Sequence, residues 1–216
     1  MPAIETLATF CLAAFLLCIA PGPSNLYVMA RSISQGQQAG VIAASGMALG
    51  SFIYVIACAF GLAAIFLYSP LAFSSVKIVG AVYLLYLSLH YFSLAKQQQN
   101  QLQHIAPLRK QTIFKQSLVV ELTNPKTALF FIAFLPLFTA PSRGNLSLQL
   151  LVLGAIYAVI GFMSDLLVAT LSGKIGLWMS THPKSGQWQN RLSASLLFAI
   201  AGFIVYEEVL TYFSPN

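Results

Sequence analysis

Helix-breaking residues stand early in this chain, in the sequence Ala20-Pro21-Gly22-Pro23-Ser24-Asn25, inside an apolar stretch that runs from about residue 7 to residue 30. An apolar stretch of this length is typical of a membrane-spanning helix. Proline lacks a backbone N–H and its ring collides with the preceding turn, so two prolines predict a break in that helix. In hydrocarbon a break persists only where it is buried in protein or lines a watery cavity.

A second break is predicted about one hundred residues later, where Thr123-Asn124-Pro125-Lys126 lies inside the apolar run from residue 114 to residue 138. Two interrupted helices at corresponding points of two halves indicate the binding site of a transporter. The substrate site is therefore expected between the two breaks. The candidate substrate-binding residues are Pro21, Gly22, Pro23, Ser24, Asn25, Asn124, Pro125 and Lys126.

The composition is that of an integral membrane protein in a lipid bilayer. Of the 216 residues, 58% are hydrophobic and only 7% are charged, against about 25% charged residues in soluble domains. The net charge of +6 does not indicate nucleic-acid binding, because the basic residues are spread over short loops and form no stripe with interleaved aromatics. Three cysteines within apolar runs and three scattered histidines predict packing residues, with no metal site and no cofactor.

Six apolar segments predict six transmembrane helices, the first and fourth of them interrupted at the proline motifs. Their approximate bounds are residues 4–30, 39–68, 76–94, 113–139, 146–172 and 192–213, with polar loops at 31–38 and 173–189. The first segment follows no basic region and precedes no small-residue cleavage site, so we expect a retained helix rather than a signal peptide. The predicted fold is an all-α membrane protein with one transport domain. Residues 1–94 and 113–216 would form two inverted three-helix repeats around a cytoplasmic linker, 95–112.

The distribution of lysine and arginine over the predicted loops is strongly biased to one side of the membrane. Basic residues concentrate in cytoplasmic loops of membrane proteins. The richer side should therefore be cytoplasmic, which places both termini in the periplasm of a bacterial inner membrane. That side carries Arg31, Lys96, Arg109, Lys110, Lys115, Lys174, Lys184 and Arg191, and the other carries Lys77 and Arg143.

Three ionisable residues, Glu121, Lys126 and Asp165, lie well inside apolar runs. A charge at the centre of a membrane helix costs at least about 2.5–3.5 kcal/mol, so such residues usually face the bundle interior and pair with one another. One lysine can pair one carboxylate, and the other is a natural proton carrier because desolvation favours its neutral form. Asp165 and Glu121 are therefore the candidates for proton coupling. The alternative is a structural Asp165–Lys126 bridge, with Glu121 in water near the cytoplasmic end.

The breaks also suit a zwitterion. The half-helix after Pro23 presents free N–H groups at its positive end, which favours a carboxylate, and Ser24 and Asn25 add neutral hydrogen-bonding groups. The carbonyls freed upstream of Pro21, together with Asp165, could hold an ammonium group. The alternative is that both prolines only kink their helices for structural reasons.

A pair of glycines four residues apart, Gly46 and Gly50, predicts close helix packing. We expect this packing within the chain, and a homodimer interface is the minority alternative.

Three further motifs are Pro21-Gly22-Pro23-Ser24-Asn25-Leu26 with Gly36, Gly40, Gly46 and Gly50, then Gly80-Ala81-Val82-Tyr83-Leu84-Leu85-Tyr86-Leu87, and Leu122-Thr123-Asn124-Pro125-Lys126-Thr127-Ala128-Leu129-Phe130-Phe131. Together they resemble the LysE/RhtB family of amino-acid exporters, and the fourth-helix motif is the most specific of them. Ser88 and Ala194 stand where the resemblance leads us to expect glycine. The resemblance implies proton-driven efflux of small amino acids across a bacterial inner membrane, and it leaves basic, neutral aliphatic, hydroxylated and sulfur-containing substrates open.

The predicted function is secondary active export of small neutral amino acids or their derivatives, in antiport with protons, and not an enzymatic activity. An exporter of basic amino acids would need more buried carboxylates than Asp165 and Glu121 supply. A cation or heavy-metal exporter would need a Cys/His cluster. An intramembrane enzyme would need a His-Glu-x-x-His motif or a Ser/His pair within the helices. A purely structural membrane subunit would have no use for two broken helices.

Overall fold

A computed structural model describes residues 4–20, 22–62, 107–140 and 143–181, together with scattered helical positions between 71 and 93 and between 187 and 209. Within these residues every regular element is a helix. α3 continues into a π-helical segment, Cys58–Leu62, and α5 continues into a π-helical segment, Phe130–Phe134, and a 3₁₀ turn, Leu135–Phe138. The α-helices are α1 Ile4–Ile19, α2 Pro23–Gln35, α3 Gln37–Ala57, α4 Lys110–Leu122, α5 Pro125–Leu129 and α6 Leu146–Thr181.

Both predicted helix breaks are confirmed. The axis bends by 51° between α1 and α2, and by 46° between α4 and the helical segment that begins with α5. At each break one extended residue, Gly22 or Asn124, precedes a proline that opens the next helix. Proline suits this first helical position because the N–H that it lacks would have no partner within the helix.

The described helices include two that are long and apolar enough to cross a membrane, Gln37–Gly61 and Leu146–Ser172. If each bent pair is counted as one span, the number rises to four. The predicted third and sixth helices lie mostly outside the described residues, so the six-helix inverted repeat remains a prediction.

Two predicted polar loops are wrong in part. The loop predicted at 31–38 is helical up to Gln35, and α3 begins at Gln37 after the single residue Gly36. Gly36 has φ 85°, a backbone conformation that glycine adopts readily. The loop predicted at 173–189 is helical up to Thr181. Polar residues mark where a helix leaves hydrocarbon, and a helix can continue in water beyond that point.

Two apolar clusters lie on either side of the level of the breaks. Along α3, Met47 belongs to the first cluster and Val55 to the second, with Gly50 and Ser51 between them. We call the first the small-residue cluster and the second the aromatic cluster. The small-residue cluster consists of Val28, Ala39, Ala43, Met47, Ile113 and Ala169. The aromatic cluster includes Phe10, Phe130, Phe131, Phe134, Phe138 and Tyr157.

The glycine pair on α3 packs against α4 of the same chain, as predicted. A Cβ atom on Gly46 would lie 2.0 Å from Oγ of Ser117, and one on Gly50 would lie 2.8 Å from Cβ of Glu121. Only glycine at these positions lets the two helices approach this closely. The approach brings the neighbouring Ser51 against Glu121.

Candidate substrate cavity

A cavity lies between the two breaks and collects most of the residues predicted for the site. Ser24 and Asn25 line it from the first break, Asn124 and Lys126 line it from the second, and Asp165 lines it from α6. Its volume of about 30 Å³ is room for roughly two water molecules. An amino acid therefore fits only after the surrounding helices or side chains move.

Some of the residues predicted for the site do not line the cavity. Pro23 and Pro125 open α2 and α5 and do not line the cavity. Gly22 lies against the side chain of Lys126. Pro21 lies outside the described residues.

A chain of hydrogen bonds links the two breaks. Oδ1 of Asn124 accepts from the backbone N–H of Lys126 at 3.0 Å. Because a backbone N–H only donates, this contact turns the Nδ2 group of Asn124 towards Ser24, to whose Oγ it donates at 2.8 Å. Ser24 Oγ in turn donates to Oε2 of Glu121 at 2.5 Å. The first turn of α2 is thus tied to the end of α4 through three side chains.

Glu121 is buried, with 4% of its surface exposed, so the alternative that placed it in water is wrong. Besides the bond from Ser24, its Oε1 accepts from Oγ of Ser51 on α3 at 2.8 Å. A buried carboxylate is tolerated when hydrogen-bond donors compensate its lost hydration. Glu121 therefore joins three helices, α2, α3 and α4, at one point beside the cavity.

Lys126 caps the C-terminal end of α1 with its side chain. Its Nζ donates to the backbone oxygens of Ala20 at 2.8 Å and of Leu17 at 3.2 Å. The carbonyls at the end of a helix lack partners within that helix, and a cation there also meets the negative end of the helix dipole. The carbonyls that the sequence assigned to a substrate ammonium are therefore held by Lys126 in this conformation.

Other side chains complete this cap. Asn25 Nδ2 and Ser164 Oγ both donate to the backbone oxygen of Cys18, at 3.0 and 3.3 Å. Donors from α2, α5 and α6 therefore converge on the last turn of α1. The sequence indicated Asn25 as a site residue, and Ser164 was missed because only the crossing of α6 over α1 brings it there.

Asp165 has a different environment from Glu121. It is 8% exposed and lines the cavity. Within the described part of the chain it forms no ion pair and no hydrogen bond, so the expected pairing with Lys126 is absent from this conformation. A buried carboxylate in such surroundings is stabilised by a cation or by a proton.

Sequence reasoning missed several lining residues, among them Ser51, Tyr157 and Phe162. Ser51 had an available signal, since it directly follows the glycine of a predicted helix contact. Tyr157 was one aromatic among many in the apolar runs. It stacks on Phe130 with ring centroids 3.9 Å apart and so joins the cavity to the aromatic cluster.

Polar contacts tie α2 to α4 on the side of the small-residue cluster. The Gln35 side chain donates to the backbone oxygen of Leu108 at 2.9 Å and accepts from its N–H at 3.0 Å. The Tyr27 hydroxyl donates to Oε1 of Gln116 at 3.0 Å, and the Arg31 guanidinium lies 5.3 Å from the centre of the Tyr27 ring. On one side of the cavity the helices are thus joined by polar side chains, and on the other by aromatic rings.

Comparison with known proteins gives two kinds of match. The family model described as LysE type translocator matches residues 15–208. The leucine efflux protein of Enterobacter sp. (strain 638) is 29% identical over 193 residues, which are 89% of this chain and 92% of that protein. The leucine efflux protein of Salmonella typhimurium is 33% identical over 141 residues, 63% of this chain and 66% of that protein. No solved structure matches significantly.

Proposed function

Because the chain belongs to the family of LysE type translocators, we propose that it is a proton-coupled exporter of small neutral amino acids, with leucine-like aliphatic ones as the first candidates. Members of this family are membrane transporters and not enzymes, which agrees with the interpretation of the sequence. Amino-acid efflux is the activity of the named relatives. The cavity supports the neutral substrate and the proton coupling.

The observation that carries the proposal is a cavity between two helix breaks whose wall includes a buried carboxylate, Asp165, that forms no hydrogen bond or ion pair with the described residues. We assign the substrate ammonium to the Asp165 side of the cavity. The substrate carboxylate is assigned to the first turn of α2, whose N-terminal end has no side-chain cap and contributes Ser24 and Asn25 to the cavity wall. A positive helix end and free N–H groups favour an anion.

The charges around the cavity favour a neutral amino acid over a basic one. A basic substrate would bring a second cation close to the buried ammonium of Lys126. It would also need a second acceptor, and both oxygens of Glu121 already accept hydrogen bonds from Ser24 and Ser51. An aliphatic side chain, by contrast, can pack against apolar lining such as Phe162.

We assign the coupled proton to Asp165, because its carboxylate can bind either a proton or an ammonium group, of the substrate or of Lys126, and among the described residues it forms no hydrogen bond that would have to break. Glu121 is the second carboxylate on the proposed pathway. A proton on its Oε1 would reverse the hydrogen bond with Ser51, and this would link protonation to the contact between α3 and α4. At Asp165 a proton and an ammonium group, whether that of the substrate or that of a Lys126 displaced by it, would exclude one another, which is the requirement for antiport.

The arrangement in the membrane belongs to the same proposal: two inverted three-helix repeats in a bacterial inner membrane, with both termini periplasmic. Two basic residues, Arg109 and Lys110, support this orientation, because basic residues concentrate on the cytoplasmic side. They stand at the start of α4, at the end of the helices where Gln35 of α2 contacts Leu108. A homodimer would have to use a surface other than the Gly46 and Gly50 pair, since that pair packs within the chain.

The test is efflux from proteoliposomes loaded with labelled leucine or labelled lysine, with and without a pH gradient that drives protons inwards. We expect the gradient to accelerate leucine efflux and to leave lysine inside. Asp165→Asn should abolish the acceleration, because an amide cannot bind and release the proton. Thr170→Ala, at an exposed position of α6 whose hydroxyl bonds only within its own helix, is the matched control and should respond as the wild type does.

Two results would overturn the proposal. Efflux of lysine without efflux of leucine would make the protein an exporter of basic amino acids. Full acceleration by the gradient in the Asp165→Asn variant would remove Asp165 from the coupling.

A further inference from the structure

The structure assigns a second role to the end of α1. We propose that the backbone oxygens of Leu17 and Ala20, which we call the carbonyl cradle, bind the ammonium group of the transported amino acid, and that Lys126 fills the cradle while the carrier is empty. This inference rests on the proposed function, since it assumes an amino-acid substrate. It adds where the ammonium binds and what replaces it after release.

The cradle already binds the chemical group in question. Nζ of Lys126 is a primary ammonium, as is the amino group of a zwitterionic amino acid, and it lies 3.2 Å from the oxygen of Leu17 and 2.8 Å from that of Ala20. Leu17 and Ala20 are 3% and 1% exposed, so neither oxygen belongs to a residue at the surface. The negative end of α1 adds a favourable field for any cation bound there.

The cradle adjoins the cavity through Lys126 itself. Lys126 lines the cavity wall, and Asp165 lines the same cavity. When a substrate ammonium enters the cradle, the displaced ammonium of Lys126 has this carboxylate available as a partner. A zwitterion brings no net charge, so the exchange leaves the charge of the site unchanged.

The helix end at the second break is capped by a different kind of hydrogen-bond donor from the one at the first break. At the end of α4, the backbone oxygen of Leu122 accepts from the hydroxyl of Tyr54 at 2.6 Å. This donor is neutral, and Tyr54 is held by stacking on Phe131 with ring centroids 5.5 Å apart. Only the first break is capped by an ammonium on a long flexible side chain, which is the kind of donor that a substrate can replace.

Filling of the cradle matters most when no substrate is bound. An acceptor that is buried without a donor is costly, so an empty carrier with a bare cradle would close and reorient slowly. Net efflux requires the empty carrier to return after each release, whereas exchange of one amino acid for another keeps the carrier loaded in both directions. Lys126 should therefore be needed for net efflux and be dispensable for exchange.

The experiment compares these two modes in proteoliposomes at equal pH on both sides, with labelled leucine inside. Net efflux is measured into buffer without amino acid, and exchange is measured into buffer with unlabelled leucine. For Lys126→Met we expect net efflux to fall about tenfold or more, the loss expected for burying acceptors without donors, while exchange stays within about twofold of the wild type. Lys115→Met removes an exposed lysine of α4 and should change neither mode.

Gly22→Ala tests the same inference without removing a charge. Gly22 has an extended backbone, φ −153° and ψ 180°, which alanine also adopts. Its new Cβ would lie 3.0 Å from Nζ and 3.2 Å from Cε of Lys126, so the end of the lysine side chain must shift by a few tenths of an ångström from its position in the cradle. We expect the same split between modes on a smaller scale, with net efflux lowered about threefold. Gly61→Ala, where a Cβ meets no atom of the described residues within 4 Å, is the control.

The outcomes separate this inference from the proposed function. If the wild type moves no neutral amino acid in either mode, the proposed function fails. If the wild type exchanges leucine, two results for Lys126→Met would overturn the inference. Equal loss of net efflux and exchange would show that Lys126 binds substrate directly or only supports the fold. Wild-type rates in both modes would show that Lys126 is not needed to fill the cradle. If Lys126→Met does not reach the membrane, Gly22→Ala decides: a split between the modes supports the inference, and its absence overturns it.

Discussion

Replacement of Ser51 by alanine tests whether Glu121 holds a charge where three helices meet. The Ser51 hydroxyl donates to Oε1 of Glu121 at 2.8 Å, and the two residues are 7% and 4% exposed. Alanine removes this donor and leaves the carboxylate with the single bond from Ser24.

The size of the effect follows from the charge on Glu121. A hydrogen bond to a charged group contributes about 1.5–3 kcal/mol to stability, and one between neutral groups about 0.5–1.5 kcal/mol. Glu121→Gln keeps the shape and an acceptor, so Ser51 can still bond to it as a neutral pair. Ser51→Ala should therefore cost about 1.5–3 kcal/mol in the wild type and about 1 kcal/mol less in the Glu121→Gln background.

The assay is thermal unfolding of the purified protein in detergent, as a double-mutant cycle over Ser51 and Glu121. For a chain of this size a loss of 1.5–3 kcal/mol corresponds to a melting temperature lower by about 3–12 °C. Ser45→Ala is the matched control on the same helix, because the Ser45 hydroxyl donates only to the backbone oxygen of Val41 at 2.9 Å. We expect the control to shift stability by less than about 0.5 kcal/mol.

Two results would refute this reasoning. If Ser51→Ala destabilises the protein no more than Ser45→Ala, the bond to Glu121 does not stabilise the contact of α3 with α4. If the cost of Ser51→Ala is the same in the wild type and in Glu121→Gln, the carboxyl group of Glu121 is not charged in the folded protein. Either result would also change how its part in proton coupling is understood.

Two further predictions concern packing and orientation. Gly46→Ala would place a Cβ 2.6 Å from the backbone oxygen of Phe114, so α3 and α4 must separate at a cost of about 1–3 kcal/mol or more. Size-exclusion chromatography should therefore show less folded protein for Gly46→Ala. The control Gly61→Ala should match the wild type. Reporters fused after Asn216 and inserted within residues 97–101 should lie on opposite sides of the membrane, and a cytoplasmic C-terminus would contradict both the predicted orientation and the count of six helices.

The sequence alone was sufficient for the features that depend on local chemistry. Proline at positions 23 and 125 lacks the N–H that a helix interior needs and its ring collides with the preceding turn, so both breaks could be predicted without knowledge of the neighbouring helices. The low fraction of charged residues identified a membrane protein, and the motifs around the breaks resembled the family that the comparisons then showed. The cost of a buried charge likewise marked Glu121, Lys126 and Asp165 as interior residues before any contact was known.

The partners of these three residues were decided only by the tertiary structure. The sequence paired Lys126 with Asp165, but the fold brings the ammonium to the end of α1 and leaves Asp165 facing the cavity. Glu121 packs closely against α3 because Gly50 has no side chain there, and the Ser51 hydroxyl then donates to its carboxylate. A pattern along one helix indicates which residues avoid lipid, whereas the depth and rotation at which helices cross determine which of several equally suitable partners lies within 3 Å.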